Sequence, residues 1–295
     1  MKPRMLSAAL LLAATVAMGQ AAPNQSPPPG AASGTAAAPA VSHQPQAKSN
    51  DELAAYKLAA AKPDAAQTEA AADEFAQKFS DSELKVLLYV RAMMLYQQQN
   101  NSAKVIAMGR KAIALNGTDP VPLVLVGEAL VLDTQRNDLD REARYAEASK
   151  DAQAALDNMD TGLLIPPGTP PERVELVKAN YRSIAYDTLG VIAMNKQDFA
   201  AAEKNFKLAI EVSKDQPDSV LYLRLAVVQD NQGKYPEALE SANKAAQYSQ
   251  DGSVERLQAN QEQDRLKKLI AEKNPASTAP APAPAPAPAQ PPQPH

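Results

Sequence analysis

A packing pattern returns along this chain at a nearly fixed step. Tyr186-x2-Leu189-Gly190 is followed by Ala202-x3-Phe206-x2-Ala209, and the same order of residue types comes back as Tyr222, Leu225-Ala226, Ala238, Ala242 and Ala245, each about 36 residues on. Each position has a steric reason. The small residue after the Leu lets a second helix come close. The Ala of the second helix sits where the two cross, and the large residue four later fills the space toward the next pair. One helix pair cannot bury its own apolar face, so such pairs must stack.

Weaker copies lie upstream. Tyr89, Ala92, Tyr96 and Ala112-Ile113-x-Leu115 form one, with Pro120 past its end. Val126-Gly127 opens another, completed by Tyr145-x2-Ala148 and Ala155 after extra polar residues around Thr134–Arg144. A degenerate first pair runs from Leu53 to Phe79, with Ala71-x3-Phe75. Start and stop signals agree with helices throughout. Ser80-x-x-Glu83 and Thr169-x-x-Glu172 have the form of capping boxes, and Asp119-Pro120 marks a start. Gly117, Gly233 and Gly252 follow periodic runs. No alternating apolar pattern argues for a sheet. With no Trp and only 4% aromatic residues, the chain must pack small side chains at close crossings.

These residues resemble the tetratricopeptide repeat family, whose pattern is W-x2-L-G-x2-Y, then A-x3-F, then P in about 34 residues. Tyr186 stands in the Trp position, and Ala193 departs from the family's Tyr. The resemblance covers roughly three quarters of the chain. It implies an all-α fold, a right-handed superhelical solenoid of antiparallel helix pairs over 51–272, with weaker repeats at 51–159 and stronger ones at 172–249. The segment 253–272 reads as a closing helix, with Val254, Leu257, Leu266, Leu269 and Ile270 as its apolar stripe. The Pro-rich stretch 160–172 reads as a tolerated surface insertion that bends the array, followed by a long helix from about 171 to 196.

In that family the first helix of each pair lines the concave face. Carried onto this chain, the candidate groove holds Val90, Met94, Gln97, Glu128, Val131, Asp187, Val191, Asn195, Val227 and Asp230. The apolar members serve equally well as packing against neighbouring helices. Family members that hold a C-terminal carboxylate use Lys, Asn and Arg. Only Arg224 matches here, while Thr188 and Val220 occupy other such places. The expected ligand is therefore an apolar or basic polypeptide segment, its identity open.

The ends differ from the middle. Residues 1–22 have the form of a secretory signal peptide: Lys2 and Arg4, then the apolar stretch Leu6–Met18, then small residues before Gln20 or Ala22. That stretch is too short to span a membrane, which takes about 20 residues. Residues 23–50 are expected to form a disordered leader, and 273–295 a disordered tail with five Ala-Pro units from Ala279 to Pro288. Such a tail favours polyproline II, and a spacer is its simplest role.

Composition narrows the chemistry. There is no Cys, and the two histidines, His43 and His295, lie in the low-complexity ends. Ser-His and Cys-His catalytic sets and Cys/His zinc sites are thereby missing from the repeats. The formal net charge is −4, and −6 without Lys2 and Arg4, which disfavours nucleic acid and anionic lipid as partners. The sequence thus points to an exported, non-catalytic interaction protein of a bacterial periplasm or envelope, without cofactor or metal. Self-association, or tethering of an envelope complex through the Pro-rich tails, is the alternative.

Overall fold

The computed structural model describes residues 44–166 and 168–273. The signal-peptide segment, most of the leader, both histidines and the Ala-Pro tail lie outside the described residues. Within them are eleven helices and no strand: α1 Asn50–Ala60, α2 Ala65–Lys78, α3 Lys85–Gln98, α4 Ser102–Leu115, α5 Pro120–Asp133, α6 Arg141–Asn158, α7 Pro171–Asn195, α8 Phe199–Val212, α9 Ser219–Asn231, α10 Tyr235–Tyr248 and α11 Val254–Lys273. None is long and apolar enough to cross a membrane.

Most helices start on a short polar side chain, which satisfies an amide that has no partner in the first turn. Ser49, Asp64, Asn101, Asp198 and Asp218 accept from Glu52, Gln67, Lys104, Ala201 and Val220 amides at 2.8–3.2 Å. Asp119 accepts from the Val121 amide at 3.0 Å. The two expected capping boxes do not form. α3 begins only at Lys85, and Ser82, not Ser80, accepts from the Leu84 amide at 3.0 Å. The Thr169 hydroxyl donates to the Pro166 carbonyl at 2.7 Å, so it is spent on the preceding turn. Gly233 and Gly252 adopt positive φ beyond α9 and α10, where L side chains would be strained.

Each helix packs on the next in chain order, giving five pairs (α1/α2 to α9/α10) and a last helix. The repeated positions lie where their steric roles require. Ala202, Phe206 and Ala209 on α8 and Ala238, Ala242 and Ala245 on α10 are sealed from solvent. A Cβ on Gly190 would stand 2.5 Å from the Phe206 ring. Gly109 on α4 plays the same part against Val126 of α5, at 2.2 Å. The upstream copies are equally closed: Ala92, Ala112, Ala148 and Ala155 are all buried.

Three segments differ from the sequence expectation. First, the body starts ahead of residue 51. Gln44 Nε2 donates to the Ile165 carbonyl and Lys48 Nζ to the Asp81 carbonyl, both at 2.6 Å, and Ala47 packs on the core. Polar composition marked these residues as leader, yet their polar groups are what tie them down. Second, the stretch after α6 is not a passive insertion. Leu163 is buried, Ile165 packs beside it, and a Cβ on Gly162 would stand 1.9 Å from the Thr118 carbonyl oxygen. Asp160 binds Lys178 at 3.0 Å and Arg182 at 2.6 Å, which holds the added first turns of α7 against this loop. Third, the apolar stripe of α11 does not all face inward. Ala259 and Leu266 are buried, while Val254 and Leu257 are 61% and 58% exposed. At about 100° per residue, Leu257 lies about half a turn around the helix from Leu266, so one packed face cannot take both.

Candidate interaction site

The candidate groove residues lie on the first helices of their pairs: Val90, Met94 and Gln97 on α3, Glu128 and Val131 on α5, Asp187, Val191 and Asn195 on α7, Val227 and Asp230 on α9. These helices touch one another along the array, α1 to α3, α3 to α5, α5 to α7, and α9 to α11. They form one layer, and the ten residues are spread along it.

Their surroundings divide them. Val131 is buried, and Val90, Met94 and Val191 are half-buried against the core, so they hold helices together. Glu128 is half-buried. Asn195 is exposed, and its Nδ2 donates to Tyr145 Oη of α6 at 3.0 Å. Gln97 is exposed, and Val227 is 37% exposed. The side chains that present surface are therefore Gln97, Asn195 and Val227.

Two of the three acids, Asp187 and Asp230, do not offer charge to a ligand as their sequence positions promise. Asp187 is buried and accepts from Arg224 Nη1 on α9. Asp230 pairs with Arg265 of α11 at 2.6 Å. In each case the acid of one first helix meets the arginine of the next, about one repeat later. Arg224, the single residue matching the family's carboxylate-gripping set, is thus committed inside the array. Among the ten candidates, Asp187 and Asp230 are thus paired from within, and the exposed ones, Gln97, Asn195 and Val227, carry no charge. The pairing was not visible in sequence, because each acid is joined to a residue more than thirty positions away.

The second helices carry a different set of joints. Glu69 and Asp73 of α2 meet Lys104 and Lys111 of α4 at 2.8 and 2.6 Å. Tyr96 and Tyr89 of α3 donate their hydroxyls to the same two acids, and each lysine ammonium stands over the corresponding ring at 5.6 and 5.0 Å. Burial raises the Tyr96 phenol to about 12, with Glu69 adding to the shift. Burial would lift both acids too, but hydrogen bonds from the lysines and tyrosines outweigh it and hold them below the usual range. These are clasps across three helices. Further along, Glu203 of α8 is a hub. It accepts from Gln232 at 2.9 Å and pairs with Lys234 at 2.6 Å and Lys207 at 2.7 Å. Burial would raise its carboxyl, but these donors bring it down to about 2.

Among the described residues no three or more His, Cys, Asp or Glu side chains gather as a metal site would require. The chain matches no protein-family model and no curated protein.

Proposed function

We propose that this protein is an exported, non-catalytic interaction scaffold of the bacterial periplasm or envelope. In this reading it is a tetratricopeptide-like array, curved as a right-handed superhelix, that holds a polypeptide segment along its first-helix layer. One observation carries the reading. The small and large positions of two consecutive copies are sealed in a sequentially packed array, which leaves a first-helix surface with Gln97, Asn195 and Val227 outward. Spacing supports the curvature. First helices touch directly along most of the array, whereas second helices meet through long side chains such as Arg110–Glu147, at 2.7 Å. An array bends toward its closer-spaced layer. Since Asp187 and Asp230 are neutralised from within, the segment this layer suits is apolar rather than basic.

The test is site-specific photo-cross-linking in the native envelope. A photoreactive residue at Gln97, Asn195 or Val227 should capture a common protein partner, and one at Gln153 or Lys204 on second helices should not. Equal capture from both layers would sink the assignment. Self-association is a second reading with an observation of its own: Tyr248, 40% exposed, stands close in sequence to the exposed Val254 and Leu257 at the start of the last helix. A monomer by light scattering, at the concentrations used for cross-linking, would dismiss it.

A further inference from the structure

A cleft of about 520 Å³ opens between α4 and α6, on the second-helix side of the array. Its walls include Ile113 and Ala114 from α4 and Ala146 from α6, so they are largely aliphatic. Asp151 of α6 also lines it. This residue is 8% exposed, and among the described residues its carboxylate makes no hydrogen bond or ion pair. Its oxygens are nonetheless not sealed from solvent.

The neighbouring cations, Arg110 and Lys150, ease its charge from a distance but give it no hydrogen bond. Arg110 is occupied one turn away, where its Nε and Nη2 donate to the two Glu147 oxygens at 2.8 and 2.7 Å. Lys150 precedes Asp151 in the chain, is exposed, and forms no ion pair among the described residues. A buried carboxylate without a donor is costly, and the cost disappears when a cation supplies hydrogen bonds. Burial, with Glu147 adding to it, lifts Asp151 to about 6. Lys150 and Arg110 pull the other way and do not offset it, so the charge is incompletely compensated. Two other buried acids of the array, Glu203 and Asp187, have cationic partners from the chain itself, and Asp119 is spent on the Val121 amide at the start of α5.

We infer that the α4–α6 cleft binds an arginine side chain presented by a partner polypeptide, with the guanidinium on Asp151 and the aliphatic stem along Ile113, Ala114 and Ala146. A planar fork of donors suits a carboxylate with both oxygens accessible. The methylene stem of arginine suits the apolar walls. The site lies on the face opposite the first-helix layer, so it stands or falls separately from the reading given above.

The experiment uses the full mature chain and the probe Ac-Ala-Arg-Ala-NH2, followed by 1H–15N chemical shifts. The peptide should move the Ala114, Ala146 and Asp151 amides saturably. Ac-Ala-citrulline-Ala-NH2, which keeps the shape and loses the charge, should not. Asp151→Asn removes a buried charge that has no hydrogen bond and should fold; it should weaken binding at least tenfold. Ala146→Phe, at an exposed position on the rim, should do the same with Asp151 intact. Unchanged binding in either variant overturns the inference, as does equal binding of the citrulline peptide or the absence of saturable shifts. If n-butylguanidinium alone binds as tightly as the peptide, the site takes a small cation and the polypeptide assignment fails.

Discussion

Gly190→Ala is the sharpest probe of how this array holds together. A Cβ at Gly190 would stand 2.5 Å from Phe206 Cε1 and 2.7 Å from Cδ1, where ordinary carbon contact is about 3.5 Å or more. The ring would have to retreat by roughly 1 Å to restore such contact. It has nowhere to go, because Phe206 is fully buried among Ala202, Ala209, Leu221, Leu225 and Val228. Overpacking of this kind costs about 1–3 kcal/mol. Alanine in place of glycine within a helix returns about 1 kcal/mol. The net expectation is a loss of about 1 kcal/mol, or about 2–4 °C in Tm for a body of this size. Hydrogen exchange in α7 and α8 is the assay of choice, since stacked pairs can open locally. Phe206→Leu supplies the control. It makes room, so in that background Gly190→Ala should turn neutral or stabilising, with a coupling of about 1–3 kcal/mol between the two sites. If Gly190→Ala protects α7 and α8 in the presence of Phe206, close helix approach is not what this glycine provides.

Two further outcomes follow from buried acids. Burial lifts the Asp119 carboxyl to about 6 from an ordinary 3.8, against the pull of the Val121 amide. The folded chain then holds this proton more tightly than the unfolded chain. The associated stability is complete below the ordinary value and lost as pH rises through 6. Urea unfolding at pH 5 should show about 1–2 kcal/mol more stability from this group than at pH 7.5, and Asp119→Asn, still able to cap α5, should reduce that difference. A pH-independent difference between variant and parent would contradict it. Glu203 behaves oppositely: its contribution is present above the ordinary carboxylate value of 4.5 and fades as pH falls toward 2. Glu203→Gln should cost about 1–3 kcal/mol at neutral pH and soften the acid-unfolding transition, read by circular dichroism.

Much of the helical plan is legible in the one-dimensional pattern. Helix number and order, the pairing of neighbours, the long α7 and the buried Ala202, Phe206, Ala238 and Ala242 all follow from periodicity and residue size. These are local properties: a helix repeats every 3.6 residues, and a small side chain is small wherever the chain goes. The candidate site was legible only as positions on the first helices of the pairs. Which of those side chains face outward depends on what packs against them. That is why Val131 is core while Val227, the same residue type on a corresponding helix, is partly open.

The remainder belongs to contacts between residues far apart in the chain. Asp187 and Asp230 read as free acids until Arg224 and Arg265 arrive from the following pairs. Residues 160–166 read as a loop until Gly162 seats on the Thr118 carbonyl and Leu163 enters the core, although the apolar run Leu163-Leu164-Ile165 was a signal within it. Asp151 carries no mark of its own in the sequence, and its burial beside the α4–α6 cleft exists only in the fold. Periodicity and side-chain volume are written along the chain and decide which helices form and in what order they stack. Charge compensation and burial depend on distances across the stack, and those exist only once the helices have closed on one another.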